Sequence, residues 1–180
     1  MKGLTLIELM ASMAILAIIL TIGVPAMNNL IESHHAKVSL STLRSALMSA
    51  RTLALSNSQE TIICPIKHNT CMNNWSRPLV VFSDINRNLS IDPDETIHLK
   101  VNNDTHRGYW QKKKDTLNFI KFTPQGHAFS SATTFLYCPY SGNEIHAKQL
   151  VISFQGRIRT NSYLSRLGTP YAAVTPLSCQ

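Results

Sequence analysis

Met1-Lys2-Gly3-Leu4-Thr5-Leu6-Ile7-Glu8 opens an apolar run that continues to Val24, preceded by one Lys and one Gly and interrupted by a single carboxylate, Glu8. As a helix, Leu4 to Val24 would span about 30 Å, enough to cross a bilayer. A carboxylate near the start of such a segment is costly and calls for a partner. A cut after Gly3 would create an α-amino group on Leu4, and the same amine on a neighbouring helix is the natural partner for Glu8. A plain N-terminal anchor or a secretory signal peptide gives Glu8 no role. Gly23-Val24-Pro25-Ala26 is also a poor small-x-small cleavage site.

Beyond this run the helical pattern persists to about Ser56. Ala36, Leu40, Leu43, Leu47, Ala50 and Ala54 recur at steps of three and four and form one apolar stripe. Glu32, His34, Lys37, Ser41, Arg44 and Ser45 occupy the opposite face. Pro25 removes a backbone donor and is expected to kink the helix where membrane gives way to solvent. From Glu60 the signals are those of short strands, over 61–65, 79–83, 95–101, 117–123, 134–138, 149–154 and 157–161, bounded by turn residues. The polar, basic stretch 102–115 and the tail after Asn161 read as irregular. The expected class is α+β: a long N-terminal helix, half membrane and half amphipathic, packed on antiparallel sheet. About 150 residues past the apolar run suffice for one core.

The charge is uneven. The chain has 17 Lys+Arg against 10 Asp+Glu; residues 1–100 hold eight basic and seven acidic side chains, residues 101–180 nine and three. The second part therefore carries +6 of the net +7, a field suited to polyanions as well as to plain solubility. Of the four cysteines, Cys64 and Cys71 would close a short loop, and Cys138 with Cys179 would tie the C-terminal tail to the sheet. A zinc site, with His68 between the first pair, is the alternative, but no Cys-x-x-Cys spacing occurs. A Gly-rich phosphate loop, a Gly-x-Ser-x-Gly elbow and a His-Glu-x-x-His run are all missing, so the sequence points to no enzyme and no cofactor.

Gly3, Leu4, Thr5, Leu6 and Glu8, with Pro25 further on, resemble the type IV prepilin signature. The resemblance implies a leader of residues 1–3, a transmembrane segment 4–27 and a periplasmic globular domain 28–180. It also implies a single-pass inner-membrane precursor, cut and N-methylated by a prepilin peptidase and assembled with other pilins into a fibre. A second block resembles the centre of FimT/GspH-type minor pilins. It comprises Trp75, Leu79-Val80-Val81-Phe82-Ser83-Asp84, Asn86, Asn88 and Asp92-Pro93-Asp94-Glu95. Asp84, Asn86, Asn88, Ser90, Asp92 and Glu95 also fit the donor spacing of a calcium loop, although Leu89 stands where that loop needs Gly. The competing reading is a polar hairpin turn that satisfies its own backbone.

Residues 149–160 read as a hairpin in which Leu150, Ile152 and Phe154 face inward, Gln155-Gly156 make a tight turn, and Arg157 and Arg159 share a face. Two residues of strand span roughly 6.7 Å, which sets the two guanidinium groups side by side, and a planar guanidinium binds phosphate oxygens bidentately. Two exposed arginines can equally be a solvated strand face. Gly156-Arg157-Ile158-Arg159 resembles the Gly-Arg-x-Arg motif of FimT-type pilins linked to natural transformation, which implies sequence-tolerant DNA binding by Arg157 and Arg159. Lys148 and Arg166, and the run Lys112-Lys113-Lys114, would extend the patch, and Tyr163 and Tyr171 could stack on bases. The alternative is a structural minor pseudopilin of type II secretion with no DNA role.

Overall fold

The computed structural model describes residues 5–103, 105–113, 117–128, 132–162 and 179, with the side chains of 161 and 162 excepted. The chain forms two units, one up to His34 and one from His35 onward. The helix α1, Leu6–Asn57, belongs to both and contains Pro25. In the first unit every residue from Thr5 to Leu30 is exposed. The helix is long and apolar enough there to cross a membrane. Glu8 lies in its first turn, and Gly3 and Leu4 fall outside the described residues.

In the second unit α1 buries Ala36, Leu43, Ala46, Leu47, Ala50 and Ala54, with Leu40 and Leu53 partly covered. This is the expected stripe, widened by Ala46. Alanines at 46, 50 and 54 share one face and let the helix backbone lie close to what it covers. Each buried leucine contributes about 1.5–3 kcal/mol.

Two antiparallel sheets receive the helix. The first contains β1 (Thr61–Lys67), β2 (Thr70–Cys71), β3 (Leu79–Phe82), β4 (Ile97–Val101) and β6 (Ile120–Phe122). Its order is β2-β1-β3-β4, with β6 also paired to β1. The second contains β5 (Gly108–Lys113), β7 (Thr133–Pro139), β8 (Lys148–Ile152) and β9 (Ile158–Ser162), in the order β5-β7-β8-β9. Ile63, Val81 and Phe122 from the first sheet and Phe135, Tyr137, Leu150 and Ile152 from the second meet the helix stripe in one core. Trp75 sits fully buried within it, edge-on to Phe135 at 4.6 Å. A smaller cluster, Ile62, Cys64, Val80 and Phe82, lies on the other face of the first sheet under Leu89 and Ile91.

Both expected disulfides are formed, Cys64–Cys71 between β1 and β2 and Cys138–Cys179 from β7 to the tail. The stretch expected to be irregular contains β5. Its lysines hid the alternation: Trp110 points into the core, and Lys112 lays its stem on the same side. The Lys112 ammonium stands 5.7 Å from the Trp75 ring centroid and donates to the carbonyls of Leu117 and Phe119. Phe154, expected to face inward on a strand, is instead 53% exposed, because β8 ends at Ile152 and Phe154 belongs to the turn.

Candidate nucleic-acid interface

Strands β8 and β9 pair from Lys148↔Ser162 to Ile152↔Ile158. The strands are joined by residues 153–157, within which the Ser153–Arg157 pair closes a three-residue loop, longer than the Gln155-Gly156 turn the sequence implies. Gly156 N–H donates to the Ser153 carbonyl at 2.8 Å, and Ser153 N–H donates to the Arg157 carbonyl at 3.0 Å. Gly156 has φ +72°. This is a tight turn closed by a glycine bulge, the usual three-residue hairpin solution. The Ser153 hydroxyl accepts from Arg157 N–H at 3.1 Å.

The turn is anchored from outside as well. Ala128 N–H donates to the Phe154 carbonyl at 3.0 Å. Arg51, half-buried on α1, donates through Nε to the Gly126 carbonyl at 3.0 Å and through Nη2 to the Gln155 carbonyl at 3.4 Å. Gly156 packs so tightly here that a Cβ would lie 2.0 Å from the Gly126 carbonyl oxygen. Glycine is therefore required at 156 twice over, by backbone conformation and by space. Arg51 was not singled out by sequence, because nothing in a helical pattern says which cation will meet a loop 75 residues away.

Strand alternation and burial set the direction of each side chain. Ile158 packs toward the main core, while Arg157 and Arg159 are exposed. Arg159 pairs with Val151, on the face away from α1. On that face the register continues from Val151 to Thr134 and from Thr134 to Lys113, so Lys113 stands in the same cross-strand row as Arg159. Lys112, one residue earlier, is turned inward. Lys148 shares the face of Leu150 and Ile152, opposite the arginines and at the far end of β8 from the turn. Arg166, Lys114, Tyr163 and Tyr171 lie outside the described residues. The hairpin tip thus carries Arg157, Arg159 and Phe154, all three exposed. Such a set can bind phosphate and stack a base.

The second candidate loop behaves differently. The Asp84 carboxylate accepts from the N–H groups of Asn88 and Leu89, each at 3.1 Å. Glu95 accepts from Ile85 N–H at 2.9 Å and Asp92 N–H at 3.3 Å. Asp92 accepts from the side-chain amides of Asn86 and Asn88, both at 2.7 Å. Leu89 adopts φ +60° and packs on the smaller apolar cluster. Asp84 and Glu95 hold the loop's own backbone, and Asp92 its side-chain amides, in keeping with the hairpin reading. Among the described residues no three His, Cys, Asp or Glu side chains are grouped to hold a metal.

The model of the type II transport protein GspH family matches residues 40–156, the greater part of the chain, and that of the prokaryotic N-terminal methylation motif matches residues 1–24. Arg157 and Arg159 lie just past the first of these. No curated protein matches. Among solved structures, the type IV minor pilin FimU of Pseudomonas aeruginosa is similar in two crystal forms, at 20% identity in each. One has a TM-score of 0.61 and covers 84% of this chain and 99% of its own; the other has 0.54, with 80% and 99%. The long helix on two antiparallel sheets is thus the pilin fold. By its matched segment the chain belongs to the type II transport protein GspH family, and it carries the N-terminal methylation motif and the pilin fold.

Proposed function

We infer that this protein is a minor type IV pilin that binds extracellular DNA through Arg157 and Arg159 during natural transformation. The observation that carries the reading is the hairpin tip: two exposed guanidinium groups on one face of a turn held by α1 and by the loop at Gly126. The basic second half of the sequence supplies the surrounding field. The pair would grip backbone phosphates, so binding is sequence-tolerant and depends steeply on salt. In this reading a prepilin peptidase removes residues 1–3, and segment 4–27 holds the precursor in the inner membrane as a single pass. The domain 28–180 faces the periplasm until Glu8 meets the amine of a neighbouring pilin in the fibre.

The test is DNA binding by the fragment from Asn28, which keeps every residue of the main core, at several salt concentrations. The Arg157→Gln/Arg159→Gln protein should bind at least tenfold more weakly, and the slope of log K against log[salt] should fall by about 1.8 on duplex DNA. Unchanged affinity and slope would refute the reading. A second reading, a structural pseudopilin of type II secretion, is favoured by the GspH match itself, which ends at Gly156, before the arginines. It expects no DNA binding even at low salt.

A further inference from the structure

Lys37, Arg44 and Arg51 recur every seven residues along α1. Seven residues return a helix to nearly the same side, with a drift of about 20° per step, and advance it about 10.5 Å. The three cations therefore form one stripe. The sequence has no Asp or Glu between Glu32 and Glu60, so nothing acidic sits three or four residues from Lys37, Arg44 or Arg51 to neutralise the stripe along the helix.

The stripe runs beside the hairpin. At its lower end Arg51 is bonded to the turn through Gln155 and Gly126. One step back, Arg44 joins Lys37, Ser41, Ser45 and Thr160 in lining a groove of about 440 Å³ between α1 and β9. Helix and strand thus run in opposite senses, with Arg51 beside residue 155 and Arg44 beside residue 160. Ile158 and Thr160 face the helix, and Arg157 and Arg159 face the other way. Strand β9 is the edge of its sheet among the described residues, so it is flanked by two cationic rails.

We propose that Lys37 and Arg44 form the second half of a DNA-binding edge and engage phosphates of one strand of a duplex while Arg157 and Arg159 engage the other. This rests on the DNA reading of the arginine pair. Ser41 and Ser45 add exposed hydroxyl donors of the kind that phosphate oxygens accept. Arg51 already spends its fork on two backbone carbonyls and acts as the joint between the rails.

The test uses the full-length chain in non-ionic detergent with a mixed-sequence duplex, titrated across salt concentrations. Lys37→Gln/Arg44→Gln should weaken binding and lower the salt slope by about 1.8, with the melting temperature unchanged because both side chains are exposed. Lys67→Gln/Lys100→Gln removes the same charge from exposed sites on β1 and β4 and should leave the slope near the wild-type value. An unchanged slope in the first variant, or an equal fall in the second, overturns the proposal while leaving the arginine reading intact. A wild-type protein that binds no duplex at low salt overturns both.

Discussion

Two polar loops stood out in the sequence, 84–95 and 153–157, and the fold treats them in opposite ways. In the first, Asp84, Asp92 and Glu95 turn inward and accept from the loop's own N–H and amide groups. In the second, the backbone is satisfied by Ser153, Arg51 and Ala128, and the two arginines are left exposed. Both loops use left-handed residues, Arg87 and Leu89 in one and Gly156 in the other. The difference lies in where the charged groups end. A carboxylate accepts only, and a loop has many unpaired N–H groups to offer it. A guanidinium donates only, so once the turn's carbonyls are occupied by Arg51 and Ala128 the neighbouring arginines have fewer local acceptors. Acidic loops therefore tend to consume their own charge, whereas a basic turn closed from outside can present it.

The largest effect should come from Gly156→Ala. The new Cβ would lie 2.0 Å from the Gly126 carbonyl oxygen, and an alanine in the left-handed region adds about 1–2 kcal/mol. With the displacement of the 123–128 turn, the loss should be about 3 kcal/mol in urea unfolding, accompanied by loss of DNA binding. A stable variant that still binds would show that the turn is not held as described. Asp84→Ala comes next. Asp84 is 5% exposed and serves two backbone donors, so stability should fall by about 2–3 kcal/mol. DNA affinity measured on the folded fraction should stay at the wild-type value. Millimolar calcium should leave the melting temperature unmoved. A calcium-dependent rise would mean that the loop can release its backbone for a cation, and the contrast between the loops would collapse.

Much of the helix and its stripe was legible in the sequence, because Leu43, Leu47, Ala50 and Ala54 repeat with the helical period and face one apolar core. The disulfides were legible for a similar reason, since each pairs a strand cysteine with a partner the topology can reach. Strand β5 was not. Lys112 supplies the hydrocarbon of a core residue and the charge of a surface one, and a polarity pattern sees only the charge. Phe154 failed in the opposite direction, since an aromatic in alternation reads as buried until the bulge at Gly156 ends the strand. Of the candidate interface, the arginine pair was visible as a motif. Its support was not, because the contacts of Arg51 and Gly126 join segments far apart in the chain. Nor could spacing alone show that Lys148 starts β8 on the other face of the sheet.

Arg51→Gln should give the smallest of these effects and the most informative. Its bonds reach two carbonyls at 3.0 and 3.4 Å from a half-buried site, so its removal should cost about 1 kcal/mol of stability. If Arg51 only holds the turn, DNA affinity falls several-fold because Arg157 and Arg159 are less well ordered, but every phosphate-contacting cation is still present. The salt slope should then match the wild type, since the slope counts phosphates neutralised and not the order of the groups that neutralise them. A slope reduced by about 0.9 would instead mean that Arg51 leaves its carbonyls for a phosphate when DNA arrives. In that case the turn presents three guanidinium groups, and the contrast with the self-satisfied acidic loop is one of degree: both would hold their own backbone until a ligand competes for the charge.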